Sequence, residues 1–261
     1  MRLPDESDIA KYSARLDVDP DTARRDHVLL RVAEALYREP AQHAVYVCKG
    51  AFVLHFVFGS PRASKDIDGI VGTSHDKVRV GRRRQLIQRG IGDDFTIKVP
   101  VQPEKEPRQD SVTFAPIMFS GDGVGNGSVE LELSLREELV YPARRAPINV
   151  PEFGLDFEVT HLDLDEQVAE KMRCLSQRSK VPDAYDVWWL WEHRGMLDRD
   201  RVRNASSKKL SSNADHHGNA ETRLRYREKQ WDSSEAVLPR GLPPKSEVFK
   251  ACRAAFGEWV A

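Results

Sequence analysis

The chain is expected to fold as an α+β protein, with a mixed β-sheet and flanking helices in its first half and a mostly helical second half. Three observations lead there. Segments with strand-like character fall between residues 44 and 135. Apolar residues at helical spacing dominate after about residue 160. Three prolines crowd into residues 142–151, where one regime gives way to the other. A domain of residues 1–145 followed by a helical domain of residues 146–261 is the division this composition suggests.

The whole chain bounds the possibilities. Its 261 residues are 40% hydrophobic and 31% charged, which describes a soluble globular protein with a sizeable core. A net charge of −1 excludes a global pull toward nucleic acid or membrane, so any such attraction must come from local patches. No apolar run approaches bilayer length, and the acidic N-terminus lacks a signal-peptide core. Cys48, Cys174 and Cys252 lie far apart and lack metal-ligand spacing. That argues against a zinc site or a disulfide framework, and for a reducing cytoplasm.

Residues 1–20 are polar and leave room for at most one short helix. Asp21 or Thr22 is expected to cap a helix running to Tyr37, with Val28, Leu29, Val32, Ala33 and Leu36 on one face. Pro40 ends it. Residues 44–48 form a short β-like run that Lys49-Gly50 breaks, and 51–58 are long enough for two helical turns.

A polar link, residues 59–65, then leads into Asp66-Ile67-Asp68-Gly69-Ile70-Val71, which begins by alternating like a strand. On a strand, side chains two apart share a face, so Asp66 and Asp68 stand side by side while Ile67 enters the core. Two carboxylates that close repel each other unless a cation lies between them. A hard divalent ion such as Mg²⁺ suits them, and it usually arrives with substrate phosphates. The Gly59-Ser60 turn just upstream has backbone N–H groups that suit phosphate oxygens.

Residues 76–90 carry Lys77, Arg79, Arg82, Arg83, Arg84 and Arg89 against the single acid Asp76. The segment reads as a helix, either solvated and packed on the sheet or a phosphate-contacting patch for RNA or nucleotide. Strands are expected at 95–101 and 111–119, then a Gly-rich hairpin turn at 122–127. In residues 128–135, Val129, Leu131, Leu133 and Leu135 share one face, and Glu130, Glu132 and Ser134 the other. Beyond the prolines, Asp163 or Asp165 caps a helix to about Gln177, and Pro182 begins another with Asp183 in its first turn. Residues 206–220 read as a flexible polar loop. Helices at 221–231 and 245–259 close the chain.

The order strand, short helix, Gly-Ser turn, Asp-x-Asp strand and later acidic strand is that of the nucleotidyltransferase fold. The sequence resembles the AbiEii/AbiGii (MenT-like) nucleotidyltransferase toxins of bacterial toxin–antitoxin systems. The resemblance rests on Arg24-Arg25-Asp26-His27-Val28-Leu29, Lys49-Gly50-Ala51, Arg62-Ala63-Ser64-Lys65-Asp66-Ile67-Asp68, Glu132-Leu133-Ser134, Glu166 with Glu170-Lys171, Arg178, and Pro182-Asp183-Ala184-Tyr185-Asp186. It runs from about residue 22 to 191. Three departures stand out: Ala51 where a second glycine is usual, Pro182 in place of an arginine, and Glu132 where an aspartate is common.

What the resemblance implies is metal-assisted transfer of a nucleotidyl group from an NTP. Asp66 and Asp68 would hold two Mg²⁺ ions, with Glu132 as third carboxylate, although Glu130 shares its face. Gly59, Ser60, Arg62 and Ser64 would bind the nucleotide. Lys171 would neutralise triphosphate charge, and Asp183 and Asp186 would orient it or contact the nucleotide from the helical half of a shared cleft. The acceptor implied is RNA, in particular the tRNA 3′ end. The consequence implied is blocked translation, with a cognate antitoxin as neutraliser and no membrane partner. Transfer of a nucleotidyl or phosphoryl group to a protein or small-molecule hydroxyl would use the same residues. An inactive binding module would have shed a metal carboxylate, and Asp66 and Asp68 are both present.

Overall fold

The computed structural model describes residues 3–71, 111–121, 125–134, 137–211, 220–233 and 238–260. The chain divides into two compact units. The first comprises Met1–Leu139 and Ala143–His161, and the second Val140–Pro142 and Leu162–Ala261. This division and the expected boundary at 145/146 differ by two strands.

The first unit is built on a six-stranded sheet. Its strands are β1 (Tyr46–Lys49), β2 (Asp66–Val71), β3 (Ser111–Gly121), β4 (Gly125–Ser134), β5 (Arg144–Val150) and β6 (Leu155–His161), in the order β3-β4-β2-β1-β6-β5. β2 runs parallel to β4 and β1 parallel to β6, while the other neighbours are antiparallel. The mixed sheet expected from the sequence is therefore present. Residues 144–161, where the sequence suggests only a boundary, form the β5–β6 hairpin instead. Pro147 is compatible with β5 because that strand lies at the sheet edge, where a missing N–H leaves no ladder bond unmade.

Three helices flank this sheet: α1 (Glu6–Leu16), α2 (Pro20–Tyr37) and α3 (Gly50–Phe56). The N-cap of α2 is Asp19, not Asp21 or Thr22. Its carboxylate accepts from the Thr22 N–H at 2.9 Å, and Pro20 occupies the first turn, where no N–H is needed. The expected apolar face of α2 is buried and packs toward β2, β4 and β6. On one face of β2 and β4, Ile67, Val129, Leu131 and Leu133 are buried in the same core.

The second unit holds α4 (Leu164–Gln177), α5 (Val181–Glu192), α6 (Arg199–Ser211), α7 (Ala220–Gln230) and α8 (Lys245–Trp259). Asp163 caps α4, accepting from the Asp165 N–H. The polar stretch expected to be a loop is helical through Ser211. Ser206 and Leu210 are buried there, and Lys209 is buried because its ammonium lies 2.9 Å from both Glu166 and Glu170. The segments 76–90 and 95–101, residues 122–124 of the expected turn, and the adjacent His216-His217, whose spacing argues against a shared metal, lie outside the described residues. Among the described residues, no helix is long and apolar enough to cross a membrane.

Candidate active site

The pleat of β2 turns Asp66 and Asp68 to one face and buries Ile67 on the other. Parallel pairing with β4 sets Asp66 beside Glu130 and Asp68 beside Glu132. Four carboxylates therefore share one patch of the sheet. Asp66 and Asp68 are half-buried and the two glutamates are exposed. Antiparallel pairing brings Lys49 of β1 opposite Asp68, and the Lys49 ammonium forms an ion pair with Glu137. In the sequence Lys49 is only part of a motif; the fold brings it opposite Asp68. The β1–β2 register, which no local pattern carries, is what singles it out.

Gly50 shapes the same patch. Its φ of +76° is in the left-handed region, and a Cβ built there would lie 2.8 Å from Asp68 Oδ2. The backbone has to come this close for the Asp68 carboxylate to lie where it does. The donor set is all carboxylate oxygen, which suits a hard divalent cation. Asp66 and Asp68 fit such an ion by residue type and shared face. Among the described residues, however, no three His, Cys, Asp or Glu side chains converge around one point. Glu130 and Glu132, the candidates for a third carboxylate, are thus register neighbours of the pair rather than side chains already gathered with it.

The link before β2 is tightly bonded. Gly59 has a φ of +78°, and the N–H groups of Gly59 and Ser60 donate to the carbonyls of His55 and Leu54 at 3.2 and 2.8 Å. Those two donors, expected to be available to phosphate, are instead engaged by the end of α3. What remains is the Ser60 hydroxyl, buried without a hydrogen-bond partner among the described residues. Ser64 is buried. Its hydroxyl lies 2.7 Å from the Asp66 carbonyl, to which it donates, and 3.3 Å from Asp66 Oδ1. Arg25 of α2 donates to the Ser64 carbonyl. Arg62 is half-buried in the same link.

The remaining predicted site residues belong to the second unit. The buried Lys171 ammonium of α4 lies 2.7 Å from Asp186 Oδ2 and 3.7 Å from Asp183 Oδ1, both carboxylates being on α5. Arg178 grips Asp183 in a two-point contact at 2.8 and 2.9 Å. It supplies a cation beside Asp183 although Pro182 stands where a basic residue is usual. Burial disfavours the Asp183 carboxylate. The Arg178 hydrogen bonds and the Lys171 charge outweigh that cost and hold its pKa below the ordinary value. Glu166 accepts from the N–H groups of Val140 and Tyr141, so it anchors a loop as well as Lys209.

The cysteines take no part. Burial pushes the Cys48 and Cys252 thiols up to about 12, so neither supplies a thiolate at neutral pH. The six basic residues from Lys77 to Arg89 lie outside the described residues.

A family model described as "Nucleotidyl transferase AbiEii toxin, Type IV TA system" matches residues 34–257. No curated protein sequence matches the chain. Among solved structures, the chain is similar to MenT4, a nucleotidyltransferase toxin of Mycobacterium tuberculosis. The TM-score is 0.70 at 16% identity, over 94% of this chain and 87% of that one. It is also similar to JHP933 of Helicobacter pylori, with a TM-score of 0.58 at 12% identity, over 91% of this chain and 93% of that one. At such identities the likeness is one of fold.

Proposed function

The chain belongs to the AbiEii nucleotidyl transferase toxin family of type IV toxin–antitoxin systems, and from that premise we propose that it attaches the nucleotidyl group of an NTP to an RNA end, the 3′ end of tRNA in particular. It is a nucleotidyltransferase, and its family implies an NTP substrate and an antitoxin partner. The observation that carries the reading further is the β2–β4 register, which sets Asp66 and Asp68 beside two glutamates on one face of the sheet.

Asp66 and Asp68 would hold divalent metal, Mg²⁺ by the hardness of the donors, with Glu132, the register partner of Asp68, as third carboxylate. A metal held there would supply charge neutralisation for the phosphates and a lowered pKa for the attacking hydroxyl. The acceptor oxygen forms a bond to the α-phosphorus, the α–β bridge bond breaks, and pyrophosphate leaves. The hydroxyl proton passes to a carboxylate of the patch, Glu132 being the exposed one nearest Asp68 in register. Ser60 and Arg62 bind phosphate oxygens, Ser64 holds Asp66 in place, and Lys171, oriented by Asp183 and Asp186, offsets triphosphate charge. The six basic residues between Lys77 and Arg89 grip the RNA backbone. The consequence is blocked translation in the cytoplasm until the antitoxin intervenes.

The test is incubation of purified protein with each α-labelled NTP and either total RNA or total protein. Label at the 3′ end of tRNA-sized RNA is expected. Label confined to protein or to small molecules would replace RNA as the acceptor class.

A further inference from the structure

A buried polar chain connects three helices to the turn that precedes the Asp-x-Asp strand. The Tyr12 hydroxyl of α1 donates to Asp26 Oδ2 of α2 at 3.1 Å. His55 Nε2 of α3 lies 3.6 Å from the same oxygen, and His55 Nδ1 lies 2.6 Å from the Ser60 carbonyl. Asp26, His55 and Ser60 are all buried. A carbonyl only accepts, so His55 Nδ1 carries the hydrogen and donates to Ser60. Nε2 then faces the Asp26 carboxyl. Neither Asp26 Oδ1 nor His55 Nε2 has a hydrogen-bond partner among the described residues.

Such a chain is an expensive way to fill a core, since a half-satisfied buried network is less stable than apolar packing. Its position gives it a use. From α2, Arg25 holds the Ser64 carbonyl, while its neighbour Asp26 acts through His55 on the Ser60 carbonyl. Two successive residues of one helix thus fix both ends of the link that enters β2.

We propose that Asp26 and His55 are positioning residues that hold the Ser60 turn in place relative to the Asp66 and Asp68 carboxylates, so that the NTP phosphates are met by a rigid turn. This rests on the reading of that turn as part of the nucleotide site. Neither residue touches substrate; both act through the Ser60 carbonyl.

Three substitutions separate this from a purely structural role. His55→Asn places an amide N–H close to where Nδ1 stands and keeps the donor to Ser60. His55→Gln reaches toward Asp26 and withdraws that donor. His55→Phe removes both contacts and keeps ring volume against Phe56, whose centroid is 4.6 Å away. The measurements are steady-state kinetics with RNA and NTP varied separately, and hydrogen–deuterium exchange of the Gly59 and Ser60 amides. His55→Phe is expected to raise KM for NTP about tenfold, less than the ~10²-fold that a misplacement of about 1 Å can cost. KM for RNA should be unchanged, and exchange at the two amides faster. His55→Gln should behave alike and carries the test if the phenylalanine variant does not fold. His55→Asn keeps the Ser60 donor but gives up Asp26, so it should fall between the parent and His55→Phe in both measurements.

Asparagine and phenylalanine variants equally impaired would overturn the proposal, as would faster exchange with KM for NTP unmoved. A parent protein that transfers nucleotide with KM for NTP indifferent to all three changes would overturn the proposal alone. A parent that transfers none would overturn the reading of the site, and the positioning role with it.

Discussion

Asp183 keeps its charge in a buried place because Arg178 and Lys171 both reach it. Lys171 in turn stays buried because Asp183 and Asp186 face it. Removing one member leaves an uncompensated charge, which costs far more than the pair contributes. Lys171→Met is therefore expected to lower the unfolding free energy by about 3 kcal/mol. Urea denaturation measures this, and adding Asp186→Leu should restore most of the loss. His27 behaves differently. Burial, reinforced by the Arg31 guanidinium, pushes its pKa from 6.5 down to about 3. The folded state then binds fewer protons than the unfolded state between those values. Stability present above pH 6.5 is lost as pH falls toward 3, by up to about 1.4 kcal/mol per pH unit. His27→Phe should flatten that slope in a series of thermal or urea midpoints. None of these pairings is visible in sequence. Lys209 reads there as part of a polar loop and of a basic stretch, Lys208–Lys229, that is a candidate for gripping RNA, yet it is buried against Glu166 and Glu170, a helix away.

At the scale of elements, β2 was the most legible part of the chain, because Asp66-Ile67-Asp68 alternates and a strand has only two faces. Its neighbour was not legible. That β4 pairs with it in parallel, with Asp68 beside Glu132, is a long-range register no local pattern encodes. The β5–β6 hairpin was hidden for another reason. Leu155, Phe157 and Val159 alternate as a strand should, but Pro147 and Pro151 read as a linker, and only the edge position of β5 reconciles them. The α3–β2 approach yields a prediction at this scale. Gly50→Ala puts a Cβ 2.8 Å from Asp68 Oδ2 on a backbone with φ of +76°. The left-handed conformation alone costs a non-glycine residue about 1–2 kcal/mol. Stability should drop by roughly that amount, and transfer should fall further than stability explains, because the displaced carboxylate is Asp68. Calorimetry and initial rates on one preparation check both halves. Equal stability and equal rate would show that the contact relaxes freely.

At the scale of the molecule, the family model spans both units. What composition conveys well is the change from sheet to helices. What it conveys poorly is where the change falls, since the strands of the β5–β6 hairpin continue the first unit's sheet beyond the prolines. A net charge of −1 leaves RNA binding to local patches, of which residues 76–90 hold the densest basic run. The account's central claim is nucleotidyl transfer to RNA at the Asp66/Asp68 face. It is tested most directly by comparing the parent with Asp68→Asn, using α- and γ-labelled NTP and total RNA. The account predicts α label on RNA, no γ label, and a loss of at least about 10³-fold in Asp68→Asn without a lower thermal midpoint. Entry of γ label into any acceptor, or an Asp68→Asn rate equal to the parent's, would contradict it.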